Sequence, residues 1–188
     1  MRVLIADDDP IIRLDLKQML ETLGYTVVAE AEDGQLAVDL AKEHLPDVCL
    51  LDVKMPVKDG IDAATEIASE GIAPAVLLTA YSDPELIERA TGAGVFGYIV
   101  KPFKPSDLSP AIEVARSRFE ANIQLTKEVG SLQERLEARK LVERAKGLLM
   151  QAQSLDENEA YRRIQQQSMN ARKSMREVAE AIILAQGV

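Results

Sequence analysis

The sequence predicts an α/β protein: a doubly wound, five-stranded parallel sheet followed by a long helix and a small three-helix domain. Three observations carry this. Short apolar runs recur at 3–6, 26–29, 48–51, 75–79 and 96–100, with helical stretches between them. Three of these runs stop on charge: Val3-Leu4-Ile5-Ala6 meets Asp7-Asp8-Asp9, Val48-Cys49-Leu50-Leu51 meets Asp52, and Tyr98-Ile99-Val100 meets Lys101. Beyond residue 108 the alternation gives way to helical patterning alone. Strands buried on both faces read as continuous apolar runs. Their alternation with helices implies right-handed crossovers and a parallel sheet.

The elements follow in order. Asp9-Pro10 supplies an N-cap and a first-turn proline for the first helix. Ile12, Leu16, Met19, Leu20 and Leu23 recur at helical spacing, and Gly24 closes that helix. Gly34 precedes a helix through Leu36 to Ala41, and Pro46 marks the turn into the third strand. Asp83-Pro84 opens a further helix, and Pro105-Ser106-Asp107-Leu108 opens the last of this half. From Leu108 to about Gln151 the pattern is read as helical, with Gly130 and Gly147 as its interruptions. Within it Leu125, Val129, Leu132 and Leu136 step by four, three and four. That spacing fits a dimerising coiled-coil seam or the face of a connecting helix packed on its own domain.

The tail then divides into three helices, the first ending near Gln151. Asp156 with Glu159, and Ser174 with Glu177, form capping-box patterns at the starts of the second and third. Ala160, Tyr161 and Ile164 are expected in the core of this bundle. Residues 1–120 are expected to form one domain, and 121–188 the linker helix and the three-helix domain.

Composition narrows the setting. The chain has 188 residues and one cysteine, Cys49, inside an apolar run. That suits a buried thiol in a reducing compartment, with neither a disulfide nor a zinc site. The start carries no signal-peptide pattern and no run approaches membrane length, so the expected location is cytoplasmic. The net charge of −9 divides into −11 over residues 1–124 and +2 over residues 125–188. The acidic half repels nucleic acid; the second half does not.

The charged strand ends define the chemistry. Open α/β sheets place their sites at the carboxyl ends of the strands. Clustered carboxylates repel and need a cation or a proton, and a hard divalent ion is the simplest resident. A carboxylate can attack phosphorus to give an acyl phosphate, given a metal and a cation for the phosphoryl oxygens. Asp52 is the candidate nucleophile, and Asp7 and Asp8 are candidate metal ligands. Lys101 supplies an ammonium, Thr79 a hydroxyl, and Lys54 a carbonyl for the metal. A phosphatase with an Asp-x-Asp loop is excluded because Asp52-Val53-Lys54 lacks the second aspartate.

These motifs resemble the receiver domain of bacterial response regulators. The resemblance rests on Leu4-Ile5-Ala6-Asp7-Asp8-Asp9, Leu51-Asp52-Val53-Lys54-Met55-Pro56 with Asp59-Gly60, Leu78-Thr79-Ala80, and Tyr98-Ile99-Val100-Lys101-Pro102-Phe103. It covers residues 1 to about 120 and implies a flavodoxin-like fold. It further implies that Asp52 accepts a phosphoryl group from a cognate sensor histidine kinase, with Mg²⁺ held by Asp8, Asp52 and the Lys54 carbonyl and supported by Asp7. Lys101 would grip the phosphoryl group, and the Lys101-Pro102 bond would be cis. Thr79 and Tyr98 would form the switch pair that reports phosphorylation, with the helix from Asp83 and the strand at 96–100 as the moving face. No nucleotide cofactor and no enzymatic turnover are expected.

The tail carries a second resemblance. Leu132 to Arg139, Val142 to Met150, Asp156 to Tyr161, and Ser168-Met169 with Arg172-Lys173 and Val178-Ala179 resemble the ANTAR domain over about 126–186. The pairing of the two implies a phosphorylation-controlled antiterminator that binds paired hairpins in nascent RNA, with a homodimer possible on phosphorylation. Arg144, Lys146, Arg172 and Lys173 are the expected phosphate or loop contacts. Ala145 and Gly147 either admit RNA close to the helix backbone or serve helix packing. With Tyr161 placed in the core no stacking platform is expected, so shape and charge would carry binding. Two alternatives stay open: a DNA-binding helix-turn-helix, and a tail that only dimerises.

Overall fold

The computed structural model describes residues 1–80 and 95–185. Five parallel strands, β1 (Arg2–Ala6), β2 (Thr26–Ala31), β3 (Val48–Asp52), β4 (Ala75–Thr79) and β5 (Gly97–Val100), lie in the order β2-β1-β3-β4-β5. The helices between them are α1 (Pro10–Thr22), α2 (Gly34–His44) and α3 (Gly60–Ser69). Then come α4 (Pro105–Gln153), α5 (Glu157–Ala171) and α6 (Met175–Ala185). The expected doubly wound sheet is therefore present. The helix expected from Asp83 lies outside the described residues.

The core explains why the strands are continuous apolar runs. Leu4, Ala6, Cys49 and Leu51 face one layer with residues of α2 and α3. Val3, Ile5, Val48 and Leu50 face the other with Leu16, Leu20, Leu108 and Ile112. Alternate residues thus serve opposite faces, and both faces are covered. Each fully buried leucine or isoleucine contributes about 1.5–3 kcal/mol through apolar area removed from water. Burial pushes the Cys49 thiol up to about 12, in keeping with an inert core residue.

Local signals in the sequence set the helix ends. Asp9 caps α1 by accepting from the Ile11 N–H at 2.8 Å, with Pro10 at the first helical position. Gly24, at φ +85, then turns the chain into β2. At the start of α2, Gly34 packs so tightly on the Lys58 carbonyl that a Cβ would sit 2.2 Å from its oxygen. Val57 lies in the left-handed region at φ +67, 84% exposed, with the Lys58 N–H donating back to the Pro56 carbonyl at 2.7 Å. A β-branched residue rarely adopts such a tight turn. The Lys101-Pro102 peptide is cis.

The described chain divides into two units, Met1–Gln124 and Leu125–Val188, and the division falls inside α4. The connecting helix and the first tail helix are one element rather than two. Pro110 also lies within α4, an interruption that the reading from Leu108 onward left out. It stands near the helix start, where little of the backbone ladder precedes it. In the first unit Leu108, Ile112, Ala115 and Phe119 of α4 are buried, and Phe119 meets Phe96 edge to face at 5.3 Å. In the second, Val142, Ala145 and Leu149 pack with Ala160, Ile164, Val178 and Ile183. The intervening Leu125, Val129, Leu132 and Leu136 are 52–61% exposed, so this stripe is not packed on its own domain.

Both capping boxes are formed. The Asp156 carboxylate accepts from the Glu159 N–H at 2.7 Å, and Glu159 accepts from the Asp156 N–H at 3.0 Å. Ser174 and Glu177 do the same at the head of α6. Asp156→Ala is expected to lower the unfolding free energy of the bundle by about 1 kcal/mol. Urea unfolding followed by circular dichroism measures this, and an unchanged midpoint contradicts it.

Candidate functional site

The sheet register assembles the first site. Ala6 pairs with Leu51 and Asp52 with Leu78, while Thr79 pairs with Val100. Asp7, Asp52, Thr79 and Lys101 therefore emerge within about one residue of the same level, on the carboxyl edge beside the β1–β3 switch of strand order. Asp52 ends the central strand and Asp7 follows its neighbour, and both are buried, at 7% and 1% exposed.

One ammonium bridges the two carboxylates. Lys101 Nζ donates to Asp52 Oδ1 at 2.5 Å and to Asp7 Oδ2 at 2.6 Å. The remaining oxygens are also engaged: Asp52 Oδ2 accepts from the Lys54 N–H at 2.8 Å, and Asp7 Oδ1 from the Asp9 N–H at 2.9 Å. The Lys101 N–H donates to the Thr79 carbonyl at 2.7 Å, which ties the ends of β4 and β5 together. Arg13 Nη1 donates to the Asp7 carbonyl at 2.6 Å; the sequence reading had not singled out this arginine.

The electrostatics are unbalanced. Burial holds the Asp52 carboxyl above its ordinary value; Lys101 opposes the rise and Asp7 adds to it. Burial works against the Lys101 ammonium as well, but hydrogen bonds to Asp52 and Asp7 outweigh it and raise this group. Both shifts are upward, which favours the charge on Lys101 and disfavours it on Asp52, because one cation serves two carboxylates. Lys101 is secured in its charged form, whereas Asp52 is left under-compensated. The stabilisation through Lys101 is fully present below its ordinary value and is lost as pH rises through the elevated one.

Surplus negative charge and an all-oxygen donor set suit a hard divalent cation. Among the described residues no three side chains of metal-binding type are gathered into a cage. Mg²⁺ does not need one, because it commonly takes one or two carboxylates and completes its shell with carbonyls and water. Asp52, the Lys54 carbonyl and the exposed Asp8 that follows Asp7 are donors of that kind. Tyr98 points outward, 59% exposed, and Thr79 is half-buried.

Gly60 is a part of this site that the motif did not explain. A Cβ there would stand 1.9 Å from the Asp52 carbonyl oxygen and 2.8 Å from its carbon. The Gly60 N–H also donates to the Val53 carbonyl at 3.0 Å. The start of α3 is thus packed backbone to backbone under the end of β3. A glycine opening a helix is the only trace of this in the sequence.

The second unit corrects part of the expected RNA surface. Ala145 is fully buried in the bundle core, so its small size serves packing. Lys146 is 7% exposed, and its ammonium is held by Glu143 at 2.8 Å and Glu157 at 2.7 Å. Its stem lies over the core while its head staples α4 to the first turn of α5. Neither residue is open to RNA. Arg144, Arg172 and Lys173 are exposed as expected, and Gly147 has nothing within 4 Å of where a Cβ would stand. Tyr161, expected in the core, is 44% exposed instead.

Some cations of this unit are held in ion pairs and others are not. Lys140 pairs with Glu137, Lys146 with Glu143 and Glu157, and Arg176 with Glu180. Arg135, Arg139, Arg144, Arg162, Arg163 and Arg172 form no ion pair among the described residues.

Comparison with known proteins follows the same division. The family model of the response regulator receiver domain matches residues 3–113, and that of the ANTAR domain matches 130–183. The transcriptional regulatory protein PdtaR of Mycobacterium tuberculosis is 56% identical over 182 residues, covering 97% of this chain and 89% of that protein. The receiver domain of the putative response regulator NarL from the same organism superposes with a TM-score of 0.59 at 33% identity. That match covers 62% of this chain and 95% of NarL's receiver. The receiver domain of a sensor histidine kinase from Pseudomonas aeruginosa, solved with magnesium in its active-site cleft, gives 0.55 at 31% identity. It covers 62% of this chain and 97% of that one.

Proposed function

The chain belongs to the response-regulator family, in the branch that joins a receiver domain to an ANTAR domain, and from that premise we propose that Asp52 takes a phosphoryl group from a histidine kinase and thereby promotes binding of hairpin RNA during transcription. The observation that carries the first half is the buried Asp52 carboxyl sharing one ammonium with Asp7. An Asp52 oxygen attacks phosphorus as the bond to the donor nitrogen breaks, and the imidazole leaves with a proton. Lys101 is already in place to follow the phosphoryl oxygens. Asp8, Asp52 and the Lys54 carbonyl would hold Mg²⁺, with Asp7 in support; when bound, the ion neutralises charge on the phosphoryl oxygens. Phosphorylation brings about −1.5 to −2 charge to a packed strand end. Thr79 then turns toward the new oxygens, and the outward ring of Tyr98 is free to move into the space released.

The second half rests on the six arginines that form no ion pair among the described residues. Unpaired guanidinium groups suit phosphate and stacked bases better than lysines already neutralised by glutamates. The exposed Leu125 to Leu136 stripe suits a second copy of α4, which would bring two bundles onto two hairpins.

One observation favours a DNA-binding reading. Only residues 172–174 join α5 to α6, and Arg172 takes the left-handed conformation, at φ +53, that a glycine would otherwise supply. That connection is the length of a helix-turn-helix turn. Against it, α6 carries a single cation, Arg176, which is paired with Glu180, beside the acidic Glu177. A helix so poorly charged is ill-suited to a major groove.

Sedimentation with a two-hairpin RNA, with and without a beryllofluoride phosphoryl mimic and Mg²⁺, tests the proposal. We expect the mimic to tighten binding by roughly 5- to 150-fold, the usual range of coupling between two sites. Preference for duplex DNA of equal length selects the alternative. Absence of binding to either nucleic acid leaves the tail as a dimerisation module.

A further inference from the structure

The outward face of α5 does not look like a solvated helix. Its first turn holds the acids, and each is engaged: Asp156 and Glu159 in the capping box, Glu157 with Lys146. From residue 160 to 173 the sequence then holds Arg162, Arg163, Arg172 and Lys173 and no carboxylate. Tyr161, Gln165 and Met169 follow one another at four-residue steps and so lie along one stripe. All three are exposed, Tyr161 at 44% and Met169 at 66%. Gln166, Gln167 and Asn170 add exposed amides on the same helix. Arg162, Arg163 and Arg172 remain without ion pairs among the described residues.

Aromatic ring, thioether, amides and guanidinium groups along an acid-free stretch of helix match one kind of partner. A protein surface would need its own carboxylates against these cations. A base-paired RNA stem is recognised through its phosphates and its shape, and it gives a flat ring nothing to stack on. Unpaired bases offer a π-face to tyrosine, polar edges to amides and phosphates to arginine. We propose that the Tyr161–Gln165–Met169 stripe of α5 is a stacking platform for unpaired bases in the loop of an RNA hairpin, with Arg162, Arg163 and Arg172 holding the flanking phosphates. The proposal rests on the RNA-binding reading above and adds to it which part of the RNA is read, and by which side chains.

The test uses the full chain carrying the beryllofluoride mimic and Mg²⁺. Its probe is a hairpin enriched by that protein from a pool with randomised eight-nucleotide loops, remade with 2-aminopurine at single loop positions. A fully paired duplex of the same stem is the comparator. Tyr161→Phe is expected to bind within about twofold of the parent, and Tyr161→Ala to lose roughly 5- to 150-fold, the range for one stacked base. At one loop position 2-aminopurine fluorescence should be quenched by the parent and by Tyr161→Phe but not by Tyr161→Ala. The salt slope should stay unchanged in Tyr161→Ala and fall by about one unit in Arg172→Ala. Tyr161→Leu, which keeps apolar contact but not the ring, guards against a packing effect and should behave as Tyr161→Ala does.

Three outcomes overturn the platform. Parent-like loop binding by Tyr161→Ala beside weakened binding by Arg172→Ala removes the stacking role and leaves RNA binding standing. Tyr161→Leu binding as tightly as Tyr161→Phe reduces the ring to a packing residue. A parent protein that holds the duplex as tightly as the hairpin, or from which no hairpin is enriched, removes the RNA reading itself and the platform with it.

Discussion

Asp52→Asn is expected to abolish acyl-phosphate formation and to leave the fold intact. The amide keeps an acceptor for Lys101, which also retains Asp7 at 2.6 Å, so the cross-strand link survives. What disappears is the nucleophilic oxygen pair. Two effects on stability oppose each other. The buried Asp52 carboxyl lies above its ordinary value, so the folded chain binds more protons than the unfolded chain between those two values, and stability falls as pH rises through that interval. Asparagine removes this loss at neutral pH. It also offers a poorer acceptor to the Lys54 N–H, a cost of about 1 kcal/mol. The net change expected in metal-free buffer is within about 1 kcal/mol, and the acid-side slope of the parent should flatten. Incubation with a labelled phosphodonor, followed by thermal unfolding from pH 4 to pH 8, measures both. A variant that still takes up label would refute the role of Asp52.

Gly60→Ala is expected to damage fold and chemistry together. A methyl group 1.9 Å from the Asp52 carbonyl oxygen cannot be accommodated by rotating a side chain, because its neighbours are the backbone of Asp52 and Val53. Either α3 withdraws from β3 or the end of β3 shifts. Overpacking in cores costs about 1–3 kcal/mol, and contact with fixed backbone belongs at the upper end or beyond. Displacing the Asp52 carboxyl by about 1 Å is expected to slow phosphoryl uptake by roughly 100-fold. Gly130→Ala is the control, since nothing lies within 4 Å of its Cβ position and it sits inside α4. That change is expected to stabilise by about 0.5–1 kcal/mol. Urea midpoints and labelling rates of the two variants decide the matter; equal behaviour would mean that α3 does not press on β3.

The receiver half was legible because its chemistry sits where strand topology must place it. Asp7, Asp52 and Lys101 each terminate an apolar run, and a parallel sheet brings such ends to one edge whatever the side chains in between. Gly60 was not legible, because a glycine at a helix start gives no hint of which backbone passes beneath it. In the tail the difficulty was helical register. Ala145 and Lys146 are neighbours about 100° apart, and a lysine stem can cover a core that its head avoids. Tyr161 follows Ala160, and either could have faced inward. Spacing held the answer: Ala160 has Ile164 four residues on, whereas Tyr161 has Gln165. The aromatic ring outweighed that polar partner and placed Tyr161 inward beside Ala160 and Ile164; the structure keeps those two in the core and turns the ring out.

Val57 leaves the chain with room to change. Its isopropyl group is almost wholly in water and its backbone occupies a region that β-branched residues avoid, at a cost of about 1–3 kcal/mol. No packing demands a valine there. A mutational drift toward glycine would relax the turn five residues past Asp52 without disturbing a single core neighbour. The loop that follows Asp52 is therefore also the place where selection could most readily retune the durability of the whole domain.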